Sequence, residues 1–420
     1  MKVVVVGGGL GGLFVAAELQ RRGVAVTIFE ASSNVGGVAG TITRDGYILE
    51  PAAGSFLLPD PALSVILKAA AVDVVPIEGG NRRLYTTGTG YSDIPSSPSE
   101  FLRSDMVGPT AKLRVIRELL IRSRTWPGES LHSFLVRHFG QTVGAIVAEL
   151  MATGVFAGDP QSIEAAAYPP LVELEARSGS LIRGVAARRK GPRSGRTLHV
   201  PTLGMRQLAV GLARSVGDVR TDTPATSMEI RGDVIRVNGE PADHVVLAVS
   251  PEVVGHLLSA ESTHATPTAP VAVVGLGGSK ADMGLPSDAF GLLAGPGAAS
   301  PVLGILFEKG PGRAPEGHQL VKVLVGGARH GDAFSDDDPV IVRRVIGDVS
   351  SMLGYQITPT FTEVARREIP QYVSGHAART ADLAGRLPER VELAGWWYGG
   401  IGIGSLAADA IRIADRMTES

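Results

Sequence analysis

The chain has 420 residues, 44% hydrophobic and 20% charged, with a formal net charge of −2. At roughly 150 residues per domain this predicts two or three domains with ample core, and it excludes intrinsic disorder and a charge-driven nucleic-acid partner. There is no cysteine, which removes disulfides, thiol catalysis, thiolate zinc sites and iron–sulfur clusters and fits a reducing cytoplasm.

Val3-Val4-Val5-Val6 is a β-branched run of the kind buried on both faces of a parallel sheet. Gly7-x-Gly9-x-x-Gly12 follows at once. A helical pattern then covers residues 11–22, with Leu13, Ala16, Ala17 and Leu19 on its apolar side and Gly23 as its stop. Residues 24–29 read as a second strand, ended by Glu30. The run after Lys2 also has the outline of a signal peptide, but five glycines within it favour the strand.

In this order the parts describe a dinucleotide site. Gly7 permits a tight turn, Gly9 lets the backbone approach a pyrophosphate, and Gly12 lets the helix pack closely on the strand. The helix N-terminus offers free N–H groups to the phosphates. Glu30 can accept hydrogen bonds from ribose hydroxyls and would repel the 2′-phosphate of NADP. Gly36-Gly37 and Gly40-Thr41 come next. A glycine pair there lets the chain pass beside the pyrophosphate of FAD, whereas an NAD enzyme would proceed to another helix; a plain turn is the alternative.

Arg82-Arg83 precede a Pro/Ser/Gly-rich region at residues 88–98. Residues 111–122 read as a helix with Leu113, Ile116 and Leu120 on one face, interspersed with Lys112, Arg114, Arg117 and Arg122, and with Trp126 beyond. Packing on its own domain is the expectation; a membrane-surface helix is the alternative. Residues 176–196 hold seven basic side chains and no acidic one, centred on Gly191-Pro192-Arg193-Ser194-Gly195, and read as a solvated surface loop. Residues 221–249 read as a strand meander with turns at Asp233 and Gly239-Glu240, ending in a buried strand.

Val271 to Gly278 imitates the first glycine motif. Lys280 holds the third glycine position and Gly284-Leu285-Pro286 interrupts any helix, so the expectation is a strand running into a glycine-rich turn. Residues 391–404 form a strand entering a glycine-rich turn, followed by a helix over 405–417. That helix N-terminus, with close backbone access, suits a flavin ring; an ordinary terminal helix is the alternative. No run of about 20 uninterrupted apolar residues occurs, so no spanning helix is expected. The histidines lack metal-ligand spacing and there is no GxSxG elbow, so neither a metal site nor a hydrolase is expected.

Beyond these motifs the chain resembles, nearly end to end, the FAD-dependent protoporphyrinogen oxidases of the wider amine oxidase-like flavoprotein group. The resemblance is carried by residues 153–160 (TGVFAGDP), 171–175 (LVELE), 179–184 (GSLIRG), 303–307 (LGILF), 313–317 (RAPEG), 325–329 (VGGAR), and 369–372 (IPQY) with Gly375-His376. It implies oxidation of a porphyrinogen to a porphyrin, with hydride passing to flavin N5 and dioxygen as electron acceptor. Protoporphyrinogen IX is the first substrate. Coproporphyrinogen III, or an amine or polyene for a diverged member, are the alternatives.

The resemblance further implies Arg83, or Arg82 if the register slips, as the propionate anchor. Phe290 and Leu293 match residues that sandwich a pyrrole ring, Leu324 a pocket residue, and Gly154 a backbone carbonyl facing the substrate. The implied FAD contacts are Gly7, Gly9, Leu10, Gly11, Gly12, Glu30, Ala31, Gly36, Gly37, Val38, Ala52, Ala53, Gly54, Val219, Ala248, Trp397, Gly400, Ile401, Gly402 and Ile403. No catalytic side chain is implied, since the flavin performs the chemistry. Three places depart from the pattern. Asn34-Val35 stands where such chains usually carry an arginine before the glycine pair, Ala52-Ala53-Gly54 replaces a Gly-Pro-acid segment, and Ser405-Leu406-Ala407 replaces Asn/Asp-Cys-Ile.

The expected architecture is α/β. It has a Rossmann-type FAD-binding domain assembled from separated segments (1–80, 195–260 and 365–420) and an α+β substrate domain. The latter's β-rich part is 261–364 and its helical region, with a membrane-facing alternative, is 81–194. Peripheral contact with the inner face of the cell membrane and a homodimer stay open.

Overall fold

The computed structural model describes residues 1–77, 82–86, 91–95, 97–120, 122–189, 197–232, 234–259, 266–286, 288–295 and 300–419, without the side chains of Arg82, Arg188 and Arg189. A five-stranded, all-parallel sheet carries the N-terminus. Its order is Asp218–Arg220, Ala25–Phe29, Lys2–Val6, His244–Leu247, Val391–Leu393. The valine run is buried on both faces, as its composition requires. Val3 and Val5 join a core with the helices Leu10–Arg21, Pro61–Ala69, Met205–Ser215 and Ile403–Thr418. Val4 and Val6 face Ile235, Val237 and Leu257 on the other side. The predicted meander is a three-stranded antiparallel sheet, Met228–Arg231, Val234–Val237 and Glu240–Ala242, with Gly239 in the second turn; Asp233 lies outside the described residues.

A seven-stranded sheet forms the second body. Its order is Phe361–Pro370, Thr268–Ser279, His318–Gly326, Val302–Phe307, Ala289–Leu293, Arg82–Thr86, Tyr91–Asp93. Two of these strands come from the segment read as helical, and the first runs past residue 365 into a segment read as FAD-binding. The helix Asp338–Leu353 covers one face of the sheet through Ile341, Val345 and Val349. The Leu131–Phe156 helix crosses the other face.

The imitation motif needs correction. Thr268–Ser279 is one continuous strand, and its glycines make no turn. A Cβ on Gly277 would lie 2.5 Å from the Tyr47 ring, and one on Gly275 2.9 Å from Leu49. The glycines make room for side chains of a hairpin more than 200 residues away. The basic segment is also corrected. Residues up to 189 form the helices Pro169–Ser178 and Leu181–Arg189 rather than a loop; residues 190–196 lie outside the described residues.

The helix expected over 111–122 runs Pro109–Arg117 and tightens to a 3₁₀ turn over Glu118–Leu120. It does not bury an apolar face on its own domain. Leu113 is 58% and Leu120 83% exposed, with Ile116, Leu119 and Trp126 also exposed. The turn exists because Glu118 is drawn inward. Its carboxylate accepts from Ser180 Oγ and the Leu181 N–H, and meets Nδ1 of the buried His138 at 2.8 Å. Nε2 of His138 faces Glu175 at 3.0 Å. Burial alone would raise Glu175, but bonds from Thr125, Arg137 and Ser123 outweigh it and hold the carboxyl at about 2.

Leu131–Phe156 is the one helix among the described residues long and apolar enough to cross a membrane by length and composition, where none was expected. Two features tie its first half to the rest of the protein. Gly140 breaks it at φ 81°, and the guanidinium of Arg114 caps the carbonyls of Arg137 and His138 there, at 3.0 and 3.1 Å. His138 is clamped between two carboxylates in the helix's first half.

Candidate functional site

The strands of the five-stranded sheet are parallel, so their carboxyl ends share one edge, where ligands of such sheets bind. Two glycine loops meet there. Gly7 has φ +104° and donates to Phe29 O at 2.8 Å; a Cβ on it would lie 2.6 Å from Ala248 O. On Gly11 a Cβ would lie 2.5 Å from Gly395 Cα, and on Gly12 2.0 Å from Gly7 O. These glycines let chain pack on chain. Gly9 differs, because a Cβ there meets nothing within 4 Å. It caps the first helix and faces open space, as a backbone approached by a pyrophosphate must. Leu10 opens that helix.

Glu30 is buried. It accepts from the Gly8 N–H at 2.6 Å and the Ser32 N–H at 2.8 Å, which fixes its carboxylate beside the cradle, and Ala31 next to it is exposed. The glycine pair folds back over the motif. Gly36 donates to Gly8 O at 2.7 Å and bridges Gly9, with φ +108° at Gly36 and +59° at Gly37; Val38 follows, half-buried. Val219 pairs with Ile28 in the edge strand, and Ala248 donates to Val6 O at 2.8 Å just past its strand. At the C-terminal loop, Trp397 and Gly400 (φ +102°) lead through Ile401 to Gly402, which caps the last helix at Ile403. Gly11 against Gly395 joins this loop to the first, so both helix N-termini serve one groove. The residues fit FAD: open space at Gly9, a fixed carboxylate for a ribose, and a second helix start for the ring.

Ala52-Ala53-Gly54 sits between this groove and the second body. The buried ammonium of Lys322 donates to Ala52 O at 3.0 Å and pairs with Glu308 at 3.2 Å. Two residues on, and so on the same strand face, Leu324 lines a cavity of about 650 Å³. That cavity also gathers Arg83, Gly154, Phe290 and Leu293. Arg83 pairs across its strand with Gly291, next to Phe290, and Gly154 lies against Leu293, 3.4 Å from a Cβ position. Five of the six residues assigned to substrate therefore share one cavity; the Arg82 side chain lies outside the described residues. Arg83 is the one charged side chain among the described lining residues.

The sequence reading missed the opposite wall, made by Phe139, Val143, Val147 and Met151 of the long helix. Their four-residue spacing is the signal that would have found it.

A dinucleotide cradle beside an apolar cavity defines a flavin-dependent oxidoreductase. The chain matches the family described as flavin containing amine oxidoreductase over residues 10–412 and belongs to it, with FAD as cofactor. It is 25% identical to coproporphyrinogen III oxidase of Bacillus subtilis (strain 168), over 96% of this chain and 94% of that protein. It is 27% identical to the chloroplastic protoporphyrinogen oxidase of Oryza sativa subsp. japonica, over 99% and 88%. Its match to the mitochondrial protoporphyrinogen oxidase of Nicotiana tabacum, at 26%, spans 49% of that protein. A crystal structure assigned to a protoporphyrinogen oxidase of Exiguobacterium sp. 255-15 superposes with a TM-score of 0.80 at 22% identity, covering 100% and 99% of the two chains. A putrescine oxidase variant reaches 0.71 at 16%, covering 100% and 99%. At these identities the structural likeness is one of fold.

Proposed function

We propose that the chain oxidises a porphyrinogen to the porphyrin, with protoporphyrinogen IX as first substrate and dioxygen as electron acceptor. The observation that carries this reading is the cavity: apolar walls with one guanidinium among the described residues, Arg83, on one side. That distribution suits a large apolar macrocycle with its carboxylates gathered on one edge. A guanidinium receives a carboxylate through two parallel hydrogen bonds and so fixes orientation as well as position. Phe290 and Leu293 offer apolar contact to the ring, and Gly154 brings a backbone close without a side chain.

FAD, when bound, supplies the hydride acceptor and passes electron pairs to dioxygen. Three two-electron rounds take six hydrogens from the porphyrinogen and reduce three dioxygen molecules to hydrogen peroxide. Aromatisation drives the reaction, so the protein's part is positioning and exclusion of water. Coproporphyrinogen III is the second reading, favoured by relatives of that activity that align over nearly their whole length. Steady-state comparison of both porphyrinogens tests the choice. A higher kcat/KM for protoporphyrinogen IX supports the first reading, and the reverse supports the second.

The same proposal includes contact with a membrane surface. Its support is the exposed set Leu113, Ile116, Leu119, Leu120 and Trp126, interspersed with Lys112 and Arg117; Val115 of the Pro109–Arg117 helix and Met106, in the connection before it, line the cavity.

A further inference from the structure

The phosphate cradle presents an electrostatic problem. FAD brings a diphosphate with two negative charges, and Glu30 fixes a third beside it. The chain from Gly7 to Gly12 and from Ser32 to Val38 carries no cationic side chain, and residue 34, before the glycine pair, is asparagine. Backbone amides and helix dipoles offset part of this charge. The question is whether any other element brings a cation here.

The helix Met205–Ser215 does. Ala209 of that helix packs directly on Gly36, 2.9 Å from the position a Cβ would take. Arg206 precedes Ala209 by three residues, which puts both on one helix face. The Arg206 guanidinium donates from Nη2 to Asn34 Oδ1 at 2.6 Å. Its backbone N–H donates to Thr41 Oγ1 at 2.9 Å, and the neighbouring Met205 N–H to the buried Glu50 at 2.9 Å, so the first helical turn is anchored at both ends of the hairpin 42–49 that follows the glycine pair. Arg206 makes no ion pair among the described residues, and its partner Asn34 is neutral, so its charge is uncompensated. Gly36 in turn bridges Gly9. The chain of contact runs from Arg206 through Asn34 and Gly36 to the open position at Gly9.

We infer that Arg206 is a cofactor-binding residue: its guanidinium, steered by Asn34 to the glycine pair, compensates the diphosphate of FAD. Asn34 is then a positioning residue, and the pair supplies from a helix some 170 residues away a positive charge that residues 7–12 and 32–38 do not carry. This rests on FAD occupying the groove.

The test titrates the apoprotein with FAD and, separately, with riboflavin, which carries the ring but no phosphate, reading flavin fluorescence. Arg206→Gln should weaken FAD binding about tenfold or more, the worth of one hydrogen bond to a charged group. It should leave riboflavin binding unchanged. Arg206→Lys should keep most of the FAD affinity. Arg214→Gln, on the same helix but two turns away, should match wild type. Circular dichroism on each variant checks the fold, which an exposed side chain at a helix start should not disturb. An FAD dissociation constant for Arg206→Gln within twofold of wild type overturns the inference. So does an equal loss for riboflavin, or an equal loss in Arg214→Gln. Wild-type protein that takes up no FAD would sink the flavin assignment and the inference with it; unchanged binding in Arg206→Gln sinks the inference alone.

Discussion

One methyl group, added at either of two glycines three residues apart, separates the two jobs of the cradle. At Gly12 the added Cβ would lie 2.0 Å from Gly7 O. Both sides of that contact are backbone, so relief requires the first helix to move off its strand. Overpacking of this kind costs about 3 kcal/mol or more. At Gly9 the same methyl meets nothing within 4 Å, and φ −67°, ψ 170° suit any residue. Gly9→Ala should therefore cost only about 1 kcal/mol, through a poorer helix cap. The methyl would, however, occupy space a pyrophosphate needs, so FAD affinity should fall about tenfold or more. Urea denaturation of the apoproteins and fluorescence titration with FAD read the two effects. Gly12→Ala should lose stability and Gly9→Ala should lose cofactor. Wild-type FAD affinity in Gly9→Ala, or equal destabilisation of both variants, would refute the reasoning.

Other outcomes follow from the same geometry. Arg83→Leu should raise KM for a porphyrinogen by about ten- to a hundredfold, the worth of a charge-assisted bond, with a smaller change in kcat; an unchanged KM would favour an uncharged substrate. Burial, with Arg379 nearby, pushes His376 down to about 4 from an ordinary 6.5. The unfolded chain therefore takes up its proton first as pH falls, and the stabilising neutral state is lost between pH 6.5 and 4. At no more than about 1.4 kcal/mol per pH unit, wild type should lose about 3 kcal/mol more across that window than His376→Gln does, measured by denaturation at each pH. Leu113→Ser combined with Leu120→Ser should reduce co-sedimentation with anionic lipid vesicles while leaving turnover of a soluble porphyrinogen intact; undiminished sedimentation would argue against the membrane contact.

The cradle was legible because its information is local. The valine run, three glycines and Glu30 lie within 30 residues, and each glycine's role follows from backbone geometry alone. The cavity was legible only in half. Arg83, Phe290, Leu293, Leu324 and Gly154 were named through resemblance, not through their spacing, since they come from four elements that only the sheet's register brings together. The facing wall carried a helical period that the reading left unused. Gly275 and Gly277 misled because a glycine serving a distant side chain looks, in sequence, like a glycine serving a turn. Glu118, His138 and Glu175 gave no sign at all. Their separation along the chain hides a cluster that forms only when the helices pack, and it is this cluster that ends the predicted helix early. Arg206 was equally silent, since its partner Asn34 drew notice only as a departure.

The central claim is that FAD in this groove takes electrons from a tetrapyrrole in the neighbouring cavity. Anaerobic mixing of the FAD-loaded protein with protoporphyrinogen IX measures it directly. The account predicts loss of the oxidised flavin's visible absorbance and its return when oxygen is admitted. Absorbance that stays unchanged with both protoporphyrinogen IX and coproporphyrinogen III, or that is lost to an amine instead, would contradict it.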